Sequence, residues 1–239
     1  MTTPEPQVRF YDLSGPEPWS PACWCTRYAL NYKGIPYTVT KLSYPDIRPT
    51  CERLFADMTG LHATVPIIEI LGDKLQALND STPIARLLNE KFPASEGYRD
   101  LKGLDVMDDY QRKSVPCRKA ILSWILADVH DCALDPHDGS KEYFKRTREE
   151  RFKVPLSEVT EKVGGGEEAV LQQIREGWEP LRQRMMQEDG TGDPTYQDFF
   201  DASNVKWIEA ASPEKGKKLM ELYGDDTFVK LMKKVEKYT

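Results

Sequence analysis

The hydrophobic pattern of this chain of 239 residues changes once along its length, and this change limits the folds that the chain can adopt. In roughly the first ninety residues, short β-like runs alternate with helical segments, and beyond them apolar residues recur at helical spacing. A stretch that contains proline and glycine, residues 92–98, separates the two parts. We therefore predict an α/β domain over residues 1–93 and an all-α domain over residues 98–239.

The first domain is predicted to begin with a strand, a helix and a second, parallel strand. Ser20 followed by Pro21 is typical of a helix start, and Gly34 is typical of a helix end. A short helix, a hairpin and a longer helix follow, and this order is typical of a thioredoxin-like domain. The predicted elements are strand 8–13, helix 22–32, strand 37–42, a short helix near 51–54, strands 65–71 and 74–78, and a helix that begins at 79–83.

The second domain is predicted to be a helical bundle. Thr195, with Asp198 three residues later, has the form of a capping box at the start of an apolar helix. Val115-Pro116 is expected to interrupt a long helical stretch, because proline breaks the backbone hydrogen-bond ladder. The predicted helical segments are 101–132 with that break, 167–187, 195–211, 212–223 and 225–238.

The charge and hydropathy of the chain exclude several classes of partner. The net charge of −6 and the pI near 5.3 argue against nucleic acid, because phosphate binding needs a basic surface. No apolar run approaches the roughly 20 residues that a membrane span needs. Neither a basic region nor an apolar region of a secretory signal is visible at the start. We therefore expect a cytoplasmic protein without a membrane or nucleic-acid partner.

Neither a disulfide framework nor a metal site is expected. The five cysteines are an odd number in a chain without a visible signal peptide. Cys23 and Cys25 are separated by one residue, whereas redox motifs separate their cysteines by two. The three histidines do not lie at zinc-ligand spacing from the cysteines.

Three short pieces of the first domain would form one site if they met in space: Ser20 after Trp19, Val65-Pro66, and Asp80-Ser81. Their order and spacing resemble the glutathione-binding half of a glutathione transferase. Residues 26–34, 44–47 and 142–152 extend the likeness, which covers nearly the whole chain, to the fungal FuA class, a relative of the bacterial β-etherases of lignin breakdown. The resemblance implies the glutathione transferase fold, with a thioredoxin-like domain and an all-helical domain. It also implies a cytoplasmic homodimer, glutathione as co-substrate and a role in detoxification.

The resemblance assigns a role to each of the three pieces. Ser20 would be the catalytic residue, whose hydroxyl hydrogen-bonds the glutathione sulfur and favours the thiolate. Val65 would pair through its backbone with the cysteinyl part of glutathione, if the bond to Pro66 is cis. Asp80 and Ser81 would hold the γ-glutamyl end at a helix N-terminus. The residues themselves also permit simpler roles, namely helix N-caps at Ser20 and Asp80-Ser81 and an ordinary trans proline, since only about 5–6% of X-Pro bonds are cis.

Further residues of the glutathione site are less defined by the sequence. Members of the family often carry Asn where this chain has Ala22, so catalysis here is expected to be weaker if that amide assists the thiolate. Cys23 would share a helix face with Ser20, either close to the bound sulfur or as a buried packing residue. Arg53 and His62 are the candidates for the glycyl carboxylate of glutathione, with ordinary surface positions as the alternative.

The second substrate is expected to bind between the domains, on an aromatic-lined surface that includes Met107 and Tyr110. For Trp124, nearby in sequence, a place in the helical core is favoured. The leading hypothesis is a serine-type glutathione transferase that acts on small hydrophobic or aromatic electrophiles, with β-etherase-like cleavage as a specialisation. The alternatives are a ligandin that binds aromatic phenolics with little turnover, and a glutathione-dependent isomerase or tailoring enzyme of secondary metabolism. An omega-like thiol transferase is disfavoured, because Ser20 stands where such an enzyme needs cysteine.

Overall fold

The first part of the chain forms a four-stranded mixed sheet in the order β2-β1-β3-β4. The computed structural model describes residues 5–55, 57, 59, 62–72 and 76–239. The strands are β1 Val8–Leu13, β2 Tyr37–Leu42, β3 Ile67–Ile70 and β4 Gln76–Asn79. β2 is parallel to β1, and β3 is antiparallel to both β1 and β4. The thioredoxin-like order of elements is thus confirmed, while residues 73–75 of the predicted hairpin lie outside the described residues.

Three helices accompany the sheet: α1 Pro21–Lys33, α2 Tyr44–Leu54 and α3 Ser81–Lys91. α1 begins and ends as predicted, with Ser20 as N-cap and Gly34 at a φ of 72°, where glycine has no steric penalty. The helix predicted near 51–54 is present, but it is longer than expected, because α2 begins at Tyr44. Ser43 caps it by accepting a hydrogen bond from the Asp46 amide, and proline is tolerated in its first turn.

The second part of the chain is helical. Its helices are α4 Met107–Lys113, α5 Val115–Asp128, α6 Ser140–Phe152, α7 Val159–Lys162, α8 Glu167–Gly177, α9 Glu179–Met186, α10 Tyr196–Ala211, α11 Pro213–Met220 and α12 Thr227–Val235. The break near Val115 is confirmed. The single predicted segment 167–187 is instead two helices that meet at Trp178, because Pro180 in the first turn of α9 cannot donate to the ladder of α8. No helix within the described ranges is long and apolar enough to cross a membrane.

Helix α10 is the buried centre of the helical part and begins with the predicted capping box. The Asp198 carboxylate accepts a hydrogen bond from the Thr195 amide at 2.8 Å, and the Asp198 amide donates to the Thr195 hydroxyl at 3.4 Å. Lys234 of α12 and Arg184 of α9 also contact this carboxylate, at 3.0 and 3.3 Å. The carboxylate is only 1% exposed, so these partners offset the cost of burying its charge and join three helices.

The two parts of the chain pack together through α1 and α10. Tyr28 stacks on Phe199 with their ring centroids 5.3 Å apart, and the Tyr196 hydroxyl donates to the Ser81 carbonyl at 2.8 Å. The loop before α1 makes a second contact, where a Cβ on Gly15 would lie 2.4 Å from the Ala133 carbonyl oxygen. These contacts hold the N-termini of α1 and α3 in place relative to the helical part. The domain limits 1–93 and 98–239 stay a prediction.

The capping box predicts a measurable loss of stability in Thr195→Ala. We expect the free energy of unfolding to fall by about 1–2 kcal/mol, because an N-cap hydrogen bond is lost. This corresponds to a melting temperature about 2–8 °C lower for a chain of this size. Thr191→Ala is the matched control, since Thr191 is exposed in the preceding loop, and its effect should stay within about 0.5 kcal/mol. Equal midpoints for the two variants in urea unfolding would contradict a stabilising role of the box.

Candidate functional site

A cavity of about 460 Å³ lies between the two parts of the chain. The sheet-containing part contributes the starts of α1 and α3, and the helical part contributes one face each of α5 and α10, with Gln111 of α4 and Arg151 of α6. The lining residues are Pro21, Ala22, Cys25, Asp80, Ser81, Gln111, Val115, Arg118, Lys119, Leu122, Arg151, Phe200, Ser203, Asn204 and Trp207. The cavity is therefore bounded by two helix N-termini on one side and by apolar and basic side chains on the other.

Ser20 directly precedes Pro21 and Ala22, which line the cavity. Its backbone is extended, and its hydroxyl oxygen accepts a hydrogen bond of 3.5 Å from the Cys23 amide, so it acts as an N-cap. Ser20 is 5% exposed and does not itself line the cavity. An accepting hydroxyl keeps its own proton, so the N-cap role leaves this hydroxyl able to donate.

The second and third predicted pieces are adjacent in space. The Val65–Pro66 peptide bond is cis, as the resemblance implies, and the Asp80 amide donates to the Pro66 carbonyl at 3.2 Å. Asp80 has a φ of 72°, an uncommon value for a residue with a side chain. Its exposed carboxylate makes no capping bond to α3, which begins at Ser81. Asp80 and Ser81 face the same cavity as the start of α1.

Arg53 and His62, the candidates for the glycyl carboxylate, lie outside the lining of this cavity. Arg53 is exposed near the end of α2, and its guanidinium lies 3.4 Å from the Tyr11 hydroxyl. His62 is exposed, and its carbonyl accepts a hydrogen bond from the side chain of Asn79, the residue before Asp80. A glycyl-carboxylate role for either side chain stays a prediction.

Met107 and Tyr110 are not part of the cavity between the domains. Met107 is fully buried in the core. Tyr110 borders a separate cavity of about 450 Å³, where its hydroxyl donates to Asp201 at 2.6 Å and accepts from Arg184 at 3.2 Å. The predicted place of both residues on the cavity between the domains therefore needs correction, because helical spacing could not reveal that Met107 turns into the core and that Tyr110 faces Asp201 and Arg184. The core position of Trp124 is confirmed at 1% exposure.

Most of the residues that line the cavity from the helical part, where Met107 and Tyr110 were predicted, come from α5 and α10. Sequence reasoning did not identify these residues, although their spacing was visible: both sets recur at i, i+3, i+4 and i+7, which is one face of a helix. They are Val115, Arg118, Lys119 and Leu122 on α5, and Phe200, Ser203, Asn204 and Trp207 on α10. Periodicity alone could not show that these two faces look toward α1.

The thiols near the cavity are held in their neutral form. Burial raises the pKa of Cys25 to about 12, opposed by a contact with the Ser203 hydroxyl at 3.1 Å. Burial, reinforced by the charge of Asp12, raises the pKa of Cys23 well above its usual value. Neither thiol is therefore a ready nucleophile, since the thiolate is the reactive form. The packing role considered for Cys23 agrees with its 2% exposure.

Among the described residues, no group of three or more His, Cys, Asp or Glu side chains is arranged to hold a metal ion.

These pKa directions predict a strong order of thiol reactivity in the native protein. With a pKa of about 12, Cys25 has only about one part in ten thousand as thiolate at pH 8. We expect iodoacetamide to modify the exposed Cys132 first, with Cys25 and Cys23 modified only on the timescale of unfolding. Peptide mass spectrometry over time measures the order, and Cys132→Ser is the control that should lose the fast phase. Modification of Cys25 as fast as that of Cys132 would contradict the neutral-thiol interpretation.

Both parts of the chain match profiles of one protein family. Residues 19–91 match the profile described as glutathione S-transferase, N-terminal domain, and residues 112–238 match the profile of the C-terminal domain. The glutathione S-transferase-like protein ustS of Aspergillus flavus is 28% identical over 243 residues, which covers 92% of this chain and 87% of that protein.

Solved structures of fungal proteins share the whole fold. Glutathione transferase GSTFuA3 of Phanerochaete chrysosporium matches with a TM-score of 0.81 and 27% identity, and the match covers 98% of each chain. Glutathione S-transferase CsGST63524 of Ceriporiopsis subvermispora, solved in complex with glutathione, matches with a TM-score of 0.81 and 26% identity over 97% of each chain.

Proposed function

We propose that this chain, which belongs to the glutathione S-transferase family, binds glutathione in the cleft between its domains. There it promotes attack of the glutathione sulfur on hydrophobic or aromatic electrophiles. The observation that carries the proposal is the convergence of two helix N-termini, at Pro21-Ala22 and at Asp80-Ser81, on one cavity. Glutathione bound to the similar fungal protein CsGST63524 supports the same ligand here.

The start of α3 suits the charged γ-glutamyl end of glutathione. The Asp80 side chain makes no capping bond, so the first backbone amides of α3 are left for a carboxylate. The exposed Asp80 carboxylate suits the ammonium group of the same end. Val65 and Pro66 lie next to Asp80 along the hydrogen bond from the Asp80 amide, and the Val65 backbone is the proposed partner of the cysteinyl part.

Ser20 is the proposed activating group for the sulfur. A free thiol titrates near 8.5, and each unit by which the pKa is lowered corresponds to about 1.4 kcal/mol of preferential stabilisation of the thiolate. A hydrogen bond to a charged group contributes about 1.5–3 kcal/mol, which is enough for a shift of one to two units. The raised pKa values of Cys23 and Cys25 support a serine-type over a cysteine-type enzyme.

The first test concerns glutathione binding. Asp80→Ala combined with Ser81→Ala should weaken glutathione binding about tenfold or more, because an ammonium partner and a hydroxyl are lost. Asp226→Ala, at the start of α12, is the matched control, since Asp226 also makes no side-chain cap and does not line the cavity. Calorimetric titration measures both variants. Unchanged glutathione affinity in the double variant would contradict the assignment of Asp80 and Ser81 to the γ-glutamyl end.

The second test concerns Ser20. Ser20→Ala should raise the pKa of bound glutathione by about one unit and lower turnover, because the thiolate loses a hydrogen-bond donor. The N-cap lost in the same substitution costs about 1 kcal/mol. Ser43→Ala is the matched control: it removes the equivalent N-cap of α2 at similar cost and should leave the titration unchanged. Thiolate absorbance against pH measures the shift. Overlapping titration curves for the wild type and Ser20→Ala would show that Ser20 caps α1 without activating the sulfur.

One observation favours a second candidate function, that of a ligandin for aromatic compounds. Ala22 lines the cavity directly after the Ser20-Pro21 pair, and its side chain offers no donor to a bound thiolate. Tight binding of phenolic compounds with slow conjugation of small electrophiles would favour the ligandin. β-etherase-like cleavage, a tailoring reaction of secondary metabolism, detoxification, the homodimer and the cytoplasmic location stay predictions.

A further inference from the structure

The wall of the cavity opposite the two helix N-termini carries three cationic side chains. Arg118 and Lys119 lie on α5, and Arg151 lies near the end of α6. All three are exposed, and the Arg118 guanidinium lies over the Phe200 ring, 5.5 Å from its centroid. This aromatic contact holds one of the charges against the cavity wall.

Several cations near these three are paired with carboxylates. Arg112 and Lys113 on α4 pair with Asp109, and Arg146 on α6 pairs with Glu150. In the part of the chain that the structure describes, no carboxylate lies within ion-pair distance of Arg118, Lys119 or Arg151. The three basic residues of the cavity wall are thus left without an acidic partner among the described residues.

The side chains that line the cavity carry a net charge opposite in sign to that of the whole chain. Asp80 is the one carboxylate that lines it among the described residues, so three cations and one anion give a local balance of +2. The whole chain has a net charge of −6. Because Asp80 lies on the opposite wall, the positive charge is concentrated on the side that the proposed glutathione contacts leave free.

The surfaces between these cations are apolar. Leu122 and Val115 lie on the same face of α5, and Phe200 and Trp207 lie on the facing side of α10. A flat ring can pack against such surfaces, while an anionic group on that ring reaches the cations. A neutral hydrophobic ligand would pack against the apolar surfaces and leave the three cations without a partner.

We propose that the second substrate of this cavity is an aromatic compound that carries an anionic group of the carboxylate type, which Arg118, Lys119 and Arg151 recognise. The inference rests on the proposed function for the identity of the reaction, and it adds the charge of the acceptor. Arg118 and Arg151 act as specificity-determining residues, since they contact the acceptor and not the reacting sulfur.

Binding of 1-naphthoate and 1-naphthamide, which share one shape and differ in charge, tests the proposal. The protein is first saturated with S-methylglutathione, and each compound is then titrated by calorimetry. We expect 1-naphthoate to bind at least about tenfold more tightly than 1-naphthamide, since a hydrogen-bonded charge pair contributes that much. Added salt should weaken the binding of 1-naphthoate only.

Variants then assign the preference to the residues. Arg118→Gln and Arg151→Gln should each weaken the binding of 1-naphthoate several-fold and leave the binding of 1-naphthamide unchanged. Arg112→Gln is the matched control, since Arg112 is exposed on α4, pairs with Asp109 and does not line the cavity. Melting temperatures of all variants monitor folding.

Three outcomes would overturn the proposal. The first is equal affinity of the wild type for both compounds. The second is an equal loss of affinity for both compounds in the Arg118→Gln and Arg151→Gln variants. The third is weaker S-methylglutathione binding in the variants with the naphthoate preference intact, which would assign the cations to glutathione. If the wild type fails to bind S-methylglutathione at all, the proposed function fails instead, and titration of the two naphthalene compounds without it still decides the anion preference.

Discussion

Helix α1 packs against α3 on one side and α10 on another, and the cavity between the domains depends on this double contact. Tyr28 of α1 stacks on Phe199 of α10, and Tyr32 meets the same ring edge-on at 5.6 Å. Tyr28 and Phe199 are fully buried, so separation of the domains would expose both rings. At about 25 cal/mol per Å² of apolar surface, this exposure would cost several kcal/mol. Helix α1, with Ser20 as its N-cap, is therefore held in a fixed position relative to α10.

The same burial determines which chemistry the cleft supports. Cys23 and Cys25 lie within two turns of Ser20, yet their thiols stay protonated because they are removed from water. The Asp12 carboxylate, buried behind α1 and paired with Arg27 and Lys41, adds a negative charge that further disfavours a Cys23 thiolate. A hydroxyl needs no ionisation to donate a hydrogen bond. These surroundings are therefore compatible with the proposed stabilisation of an externally supplied thiol by Ser20.

The features that were predicted correctly depend on residues close together in the chain. The limits of α1 follow from Ser20, Pro21 and Gly34, and the capping box of α10 follows from Thr195 with Asp198, because each cap is a contact within one helical turn. The start of α2 at Ser43 has the same kind of signal, and the prolines that follow concealed it. The family resemblance added the cis bond before Pro66, which the residues alone made improbable.

The sequence by itself determined the thioredoxin-like order of elements, the caps of α1 and α10, and two helix starts, after Ser20 and at Asp80-Ser81, that border the cleft. Only the tertiary structure decided which face of each helix in the second domain borders that cleft. Met107 and Tyr110 were predicted there, but Met107 lies in the core and Tyr110 lies against Asp201 and Arg184. Arg118 and Trp207 line the cavity instead. The physical reason is that helical periodicity defines a face but not the direction in which it points; that direction is set by packing between helices far apart in the chain.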